Sequence, residues 1–466
     1  MTETRSPVSR QILMAIVATG ILTFTGILTE TSMNVTFPDL MQVFNISIGT
    51  VQWLTTAYLL TVSLVMTISP YLKTIFTPRN IFFIALAFFT VGDLIAVFSP
   101  NFALLLIGRI IQGIGTGVIT PLVFNIILEN VPLALIGQYM GFGTMILSLA
   151  PAFGPVFGGV VAYTIHWRAI FWLVLPVALI SLILGFKSIP TTAPTPSAKA
   201  FDYSRFTLLA IAFTSFLFAL NTLEHGTVGI VMLGSFAIAI IAFTLFIWRS
   251  KVSQKMFLNI GIIKNKALMF SLLAYSIFQF SNLAVNFMVP TYIQLVLGST
   301  TMVAGLALMP GSLLGALLNP VYGRIFDQKG PKLPLLTGNT AFVLVLLGFA
   351  IIAQNMTVLM MTILYALLTL GRNLAFGNSM ATGLSEIGPE DRPDGNAIYN
   401  TSQQFAGAIG TTVASLFMKV DPSSTVSTAK QTAIGSQHSL IFLVVLGLLN
   451  FVFFGQVFKN LHRVKS

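Results

Sequence analysis

Residues 69–80 read SPYLKTIFTPRN and residues 320–332 read PVYGRIFDQKGPK, two short basic breaks, each between long apolar runs. Setting Gly323 on Pro70 places Asp327 on Thr74, Gly330 on Thr77, Pro331 on Pro78 and Lys332 on Arg79. The spacing repeats while the chemistry does not: the second break holds an acid and two glycines that the first lacks. Two similarly spaced breaks in a chain of apolar runs point to an internal duplication, and the composition tells which solvent that duplicated unit is built for.

Of the 466 residues, 55% are hydrophobic and 8% charged, with 40 phenylalanines and 37 glycines. Soluble domains carry roughly a quarter charged residues, so lipid must solvate most of these side chains. Cysteine is absent, which removes disulfide frameworks, thiolate metal sites and cysteine nucleophiles together. The net charge of +11 is what basic loops on the cytoplasmic side of a membrane protein produce. No basic patch interleaved with aromatics supports nucleic-acid binding.

Spans of about 20 apolar residues fall near 11–34, 51–72, 80–99, 103–125, 138–162, 169–187, 204–222, 228–249, 267–289, 304–326, 333–353, 357–378, 398–419 and 438–458. The first is longer than a signal-peptide core and reads as a membrane helix. With the amino terminus inside, nineteen Lys and Arg fall on the cytoplasmic side, and three (Arg168, Lys419, Lys430) on the other; Arg109 and Arg372 lie within spans. Both termini are therefore expected in the cytoplasm. Residues 189–203 and 250–266 resemble linkers and bracket two helices. The expected fold is an all-α membrane protein of fourteen transmembrane helices: a six-helix bundle over 1–188, a linker with two inserted helices over 189–266, and a second six-helix bundle over 267–466. Duplicated bundles of this kind suit transporters whose halves rock about a midplane site.

Several motifs add a family to this outline. LLLIGRIIQGIGTG resembles an RxxQGxG motif through Arg109, Gln112, Gly113 and Gly115; APAFGPVFGG resembles GPxxGG through Gly154, Pro155, Gly158 and Gly159; TETSMNVTFPDL is similar to NETxLNVALP. With WRAIFWLVLP and GNAIYNTSQQFAGAIG, these cover nearly the whole chain and resemble the fourteen-helix drug:proton antiporter branch of the major facilitator superfamily, in particular its Lmr and Emr-type exporters. The resemblance implies proton-coupled efflux of amphipathic, cationic or zwitterionic small molecules by a monomer in the cell membrane, with no cofactor. It departs at the cytoplasmic gating motif GxLaDrxGrk, recognisable in GRIFDQKGPK and degenerate in SPYLKTIFTPRN. Export of a specific metabolite or lipid-like compound on the same fold, or a non-transporting polytopic protein, are the alternatives. No phosphate-binding loop supports an ATP-driven pump, and no nucleophile, acid pair or metal cluster supports an enzyme.

Charge inside a bilayer costs about 2.5–3.5 kcal/mol per residue at a helix centre, so Glu30, Asp93, Arg109 and Arg372 need reasons. Helix directions place the first three in one outer layer, as a proton site needs: a carboxyl that alternates between a desolvated setting and an arginine. Glu30 and Asp93 are the candidate proton sites and Arg109 their partner; the alternative is a fixed ion pair, with Arg109 on helix-end carbonyls. Substrate candidates are Asn34, Tyr58, Gln112, Gln279, Asn282, Asn286 and Gln403, joined by Tyr275, Asn400 and Gln404, although amides on apolar helices also serve as interhelical glue. Gly154, Pro155 and Gly158 form a tight, bendable seam; the resemblance implies that it limits leak between halves, and ordinary GxxxG packing is the alternative. Asp327 with Arg324 is the expected charged latch of the inner gate, the loop around Thr74 being an anchor. Glu224 and His225, and the acids of EIGPEDRPDG (386–395), read as solvated turns.

Overall fold

The computed structural model of the chain describes residues 8–132, 135–194, 200–223, 229–388, 391–420 and 425–461. Glu224 and His225 lie outside these residues, as does Glu390 of the acidic loop. Fourteen long helices follow one another among the described residues: α1 Arg10–Phe44, α2 Ile48–Ile75, α3 Pro78–Val97, α4 Phe102–Asn130, α5 Ile136–Thr164, α6 Ala169–Ser188, α7 Tyr203–Thr222, α8 Ile230–Val252, α9 Lys266–Leu295, α10 Thr301–Lys329, α11 Lys332–Ile352, α12 Val358–Ser385, α13 Arg392–Phe417 and α14 Thr428–Leu461. In α2 a single turn, Ile48–Val51, continues through Gln52 into Trp53–Ile75. Thirteen of these helices are long and apolar enough to cross a membrane. The other is α13, whose polar run Asn400 to Gln404 lowers its hydropathy.

Side-chain caps set many of the starts, satisfying amides that have no partner in the first turn. Asn101 accepts from Leu104 N at 2.9 Å, and Thr77, Thr300 and Thr357 do the same for α3, α10 and α12. The helices outrun the apolar runs that announce them. α1 passes Asn34 and continues through Pro38 to an αL cap at Asn45, while α12 ends at Ser385 and α14 begins at Thr428. Hydropathy marks the lipid slab, whereas the backbone ladder runs on into the interfacial layers.

The pairing of helices repeats. α1 packs on α4, α5 and α6, α2 on α4, and α3 on α4 and α6; eight helices further on, α9 packs on α12, α13 and α14, α10 on α12, and α11 on α12 and α14. Between the two sets the crossings are reciprocal, α5 on α10 and α2 on α13, with α1 on α9 at the centre. The inserted pair, α7 and α8, is packed together, and α7 touches α2 and α13.

The face carrying residue 8, the α2–α3 turn and residue 461 is the terminal face, and the other is the opposite face. Hydrogen bonds joining the two sets lie from mid-helix toward the opposite face. Thr301 donates to Asp39 at 2.9 Å, Gln294 Nε2 to Val35 O at 2.8 Å, and Ser63 to Thr401 O at 3.0 Å. Thr56 meets Thr411 and Thr412, each at 3.2 Å. There α5 and α10 touch backbone to backbone: a Cβ on Gly305 would stand 2.2 Å from Pro155 O, and one on Gly159 2.6 Å from Thr301 O. On the terminal side, by contrast, Val321, Arg324 and Asp327 of α10 are exposed. The backbone-to-backbone contact between the two sets thus lies toward the opposite face.

A valine at position 305 must push α10 off α5. Because the chain has no cysteine, Asn34→Cys, at a position only 3% exposed, reports on the seal. Gly305→Val is expected to raise its labelling by a membrane-impermeant maleimide at least fivefold, and equal rates would show that the glycine contact does not hold the seal.

Candidate functional site

Inside the first set of helices, four elements bring polar side chains to one buried layer. The enabling feature is the approach of α3 to α4, where a Cβ on Gly92 would fall 2.3 Å from Gln112 N and one on Gly108 2.8 Å from Gly92 O. With no side chains between the backbones, Asp93 and Gln112 meet: Gln112 Nε2 donates to Asp93 Oδ1 at 2.9 Å. Gln112 Oε1 in turn accepts from Arg109 Nη1, one turn earlier on α4. Arg109 Nε reaches Leu54 O of α2 at 3.4 Å, and its guanidinium lies 4.1 Å from the centre of the Tyr58 ring. Tyr58 donates toward Gly26 O of α1 at 2.9 Å and toward Thr116 Oγ1 at 2.8 Å.

Asp93, Arg109 and Gln112 are wholly buried, and Glu30 is 6% exposed. Glu30 is in electrostatic reach of Arg109, but among the described residues neither carboxylate forms a direct ion pair with it. Asp93 Oδ2 and Arg109 Nη2 have no hydrogen-bond partner among these residues. Such a network is under-satisfied and can be rearranged, since a buried donor or acceptor without a partner costs about 1–3 kcal/mol, more when charged. The amide gives Arg109 and Asp93 a neutral link that survives a change of charge on either carboxyl.

The sequence placed Glu30, Asp93 and Arg109 in one layer, and the structure brings them together. Tyr58 and Gln112, expected to line a substrate cavity, are instead the buried partners of Arg109. Asn34 accepts from Thr55 Oγ1 at 2.8 Å and ties α1 to α2. In the second set, Asn286 donates to Asn282 Oδ1 at 3.2 Å and accepts from Tyr365 at 2.9 Å, and Tyr275 donates to Gln403 at 2.5 Å. Gln279 is buried, Asn400 donates to Asn396 at 3.2 Å, and Gln404 is half-buried. Gly154 and Gly158 face Thr31 and Ser32 of α1, with Ser32 donating to Gly154 O at 2.8 Å, while Pro155 and the adjacent Gly159 face α10. Asp327 and Arg324 are exposed and form no ion pair among the described residues; in the first copy Lys73 pairs with Glu129 of α4.

Thr116 and Tyr365 carry parts of the network that the motifs did not single out. Gly371 stands against Gly338 O and Phe342 N of α11 as Gly115 stands against Ala85 O and Phe89 N of α3. Carried along these helices, that correspondence puts Tyr365 at the place of Arg109 and Gly311 at that of Tyr58; a Cβ on Gly311 would indeed lie 2.7 Å from the Tyr365 ring. In α1 and α9, which start at Arg10 and Lys266, it puts Asn286 at the place of Glu30. The second set thus has a neutral Tyr365–Asn286 hydrogen bond where the first has an arginine and a carboxyl. Arg372 then corresponds to Thr116; it donates to Asn373, lies 5.2 Å from the Phe376 ring centre, and leaves Nε without a partner among the described residues.

The sequence model of the Major Facilitator Superfamily matches residues 19–411. A protein of Listeria innocua called lincomycin resistance protein LmrB is 34% identical over 435 residues, covering 93% of this chain and 92% of its own. The Bacillus subtilis protein of that name is 31% identical, with 92% of each chain covered. Among solved structures, a crystal structure of the POT family transporter PepTSo has the same fold, with a TM-score of 0.71, 14% identity and coverage of 97% of this chain and 99% of its own.

Gln112→Leu strands Asp93 Oδ1 and Arg109 Nη1 together and is expected to cost about 3 kcal/mol. Tyr58→Phe removes neutral hydrogen bonds only and is expected to cost about 1 kcal/mol or less. Unfolding in mixed detergent micelles measures both; equal losses would mean that the amide bridge is not what holds the charged layer.

Proposed function

The chain belongs to the Major Facilitator Superfamily, and from that membership we propose that it exports amphipathic, cationic or zwitterionic small molecules in exchange for protons, by alternating access. Membership makes it a transporter and not an enzyme. The observation that carries the proton coupling is the layer around Arg109: two carboxyls and one guanidinium, buried in the part of the chain that lipid surrounds, with Asp93 joined to Arg109 through the Gln112 amide and Glu30 in electrostatic reach of it, neither locked as an ion pair. Glu30 is the principal proton site, beside the α5 seam that must open when the halves rock, and Asp93 is the second. Protonation of Glu30 releases Arg109 from its electrostatic partner, and substrate competes for the same deprotonated state.

The rocking units are residues 1–188 and 267–466, with 189–266 as a strap, and the protein works as a monomer in the cell membrane. The terminal face is cytoplasmic, because fifteen Lys and Arg of the described residues lie on its side, against three on the other. Pro155 and Gly159, against Gly305 and Thr301 of α10, hold the outer seal, and Gly154 and Gly158 seat α5 on α1. Asp327 with Arg324 latches the inner side in the alternate state, and the exposure of both here agrees with an inward-open form. Substrate enters between the halves from the terminal face, toward the amides Gln279, Asn282 and Gln403. Because the relatives are named for lincomycin resistance, lincomycin is the first compound to test, followed by cationic dyes.

Everted membrane vesicles energised to an acidic lumen test the proposal. Wild type is expected to accumulate lincomycin or a dye, and Glu30→Gln to lose at least tenfold of the gradient-driven part while still equilibrating the compound. A variant at the surface ion pair, Glu129→Gln, is expected to stay within about twofold of wild type. Unaltered accumulation in Glu30→Gln removes that residue from the mechanism, and no accumulation of any compound by wild type overturns the proposal.

A further inference from the structure

Three helical faces converge beside the inserted pair. Phe213 and Phe216 of α7, Phe243 and Ile247 of α8, and Thr401 and Phe405 of α13 line one groove of about 1090 Å³. Each set follows the three- and four-residue spacing that puts side chains on a single helix face. Phe213 stacks on Phe405 with ring centres 3.7 Å apart and pins α7 to α13. α8 packs on α7, and the groove runs between α8 and α13.

Its length and its ends have a direction. From Ile398 to Ile409 the α13 wall is about 16 Å long, and from Ala239 to Lys251 the α8 wall is about 18 Å, at 1.5 Å per residue. Both match one leaflet, about half of a 30 Å hydrocarbon core. The deep part is aliphatic and aromatic. The terminal-face end is polar, with Ser250, Lys251, Asn259 and Lys264 among its lining residues. Lys251 and Lys264 are exposed and form no ion pair among the described residues. Ser250 and Thr401, which both line the groove, carry buried hydroxyls with no hydrogen-bond partner among the described residues. An adjoining pocket of about 400 Å³ shares Ser250, Leu258, Asn259 and Ile260 and adds Arg205, Lys255 and Asp394. Arg205 is already taken, by Asp202 at 3.0 Å and Lys255 O at 2.5 Å. Asp391 also reaches the rim, accepting from Asn259 Nδ2 at 3.2 Å, so Lys251, Lys255 and Lys264 face two acids, Asp391 and Asp394, and the rim keeps an excess of positive charge.

We propose that the groove between α8 and α13 is a binding site for one anionic phospholipid, its acyl chains against the phenylalanines and its phosphate held by Lys251 and Lys264. Basic pockets between membrane helices at the cytoplasmic side take anionic headgroups on this principle. The hydroxyls of Thr401 and Ser250 meet the ester region. The lipid completes the packing of the inserted pair, which otherwise leans on the rest of the protein through α7 and the strap. The site is independent of what the protein transports.

Native mass spectrometry of the purified full chain, offered phosphatidylglycerol or phosphatidylcholine of matched chain length at equal concentration, tests this. One phosphatidylglycerol is expected to be retained at least fivefold over phosphatidylcholine. The double variant Lys251→Glu/Lys264→Glu is expected to lose that preference, and Ala239→Trp, which fills the groove and keeps both lysines, to lose at least fivefold of the retained lipid. Equal retention of the two lipids, or retention indifferent to both variants, overturns the proposal. So does displacement of phosphatidylglycerol by lincomycin or a cationic dye at concentrations that support transport, which would make the groove a path for substrate.

Discussion

The contact of Gly92 with α4, and of Gly108 with α3, is the constraint on which the polar chemistry of this protein depends. Only where two backbones come this close can an aspartate on one membrane helix reach a glutamine on the next, and only through that glutamine is the aspartate joined to Arg109. The geometry puts a positive charge, a buried carboxyl and a neutral amide into one stack, with Glu30 facing it from α1. Nothing in that stack is locked as a salt bridge. A fixed buried pair would hold its charges in place, whereas this arrangement leaves one acid oxygen and one guanidinium nitrogen without a hydrogen-bond partner among the described residues.

The duplicated architecture makes the same point by contrast. Helix pairings in the second half repeat those of the first, but the places of Arg109 and Glu30 are taken by Tyr365 and Asn286, which share one hydrogen bond of 2.9 Å. One half holds a buried arginine with two carboxyls near it and the other a neutral copy of that arrangement. The seal between α5 and α10 connects the two, since Gly154 and Gly158 face α1, the helix of Glu30, while Pro155 and Gly159 face α10. A movement of α5 against α10 is felt directly by the helix that carries the carboxyl.

Much of this was legible in the sequence. The order of the helices followed from apolar runs, and the common layer of Glu30, Asp93 and Arg109 followed from counting residues along alternating helix directions. The roles of Tyr58 and Gln112 did not, because a polar residue on an apolar helix looks the same whether it faces a cavity or a neighbouring charge; only the close approach at Gly92 and Gly108 decides between them. The equivalence of Tyr365 with Arg109 left no trace in residue identity and appears through glycine contacts that recur at Gly115 and Gly371. The polar character of α13 reflects its place between α2 and α9. Helix ends were missed by up to ten residues, as at Phe44 and Thr428, because the ladder of backbone hydrogen bonds does not stop where hydropathy does.

An infrared difference spectrum of the purified protein, recorded on adding lincomycin, addresses the account most directly, for it observes the carboxyl itself. The account predicts that a protonated-carboxyl band disappears as the compound binds, and that the change is absent from Glu30→Gln. Binding with no carboxyl change in wild type, or with the same change in the variant, would contradict it.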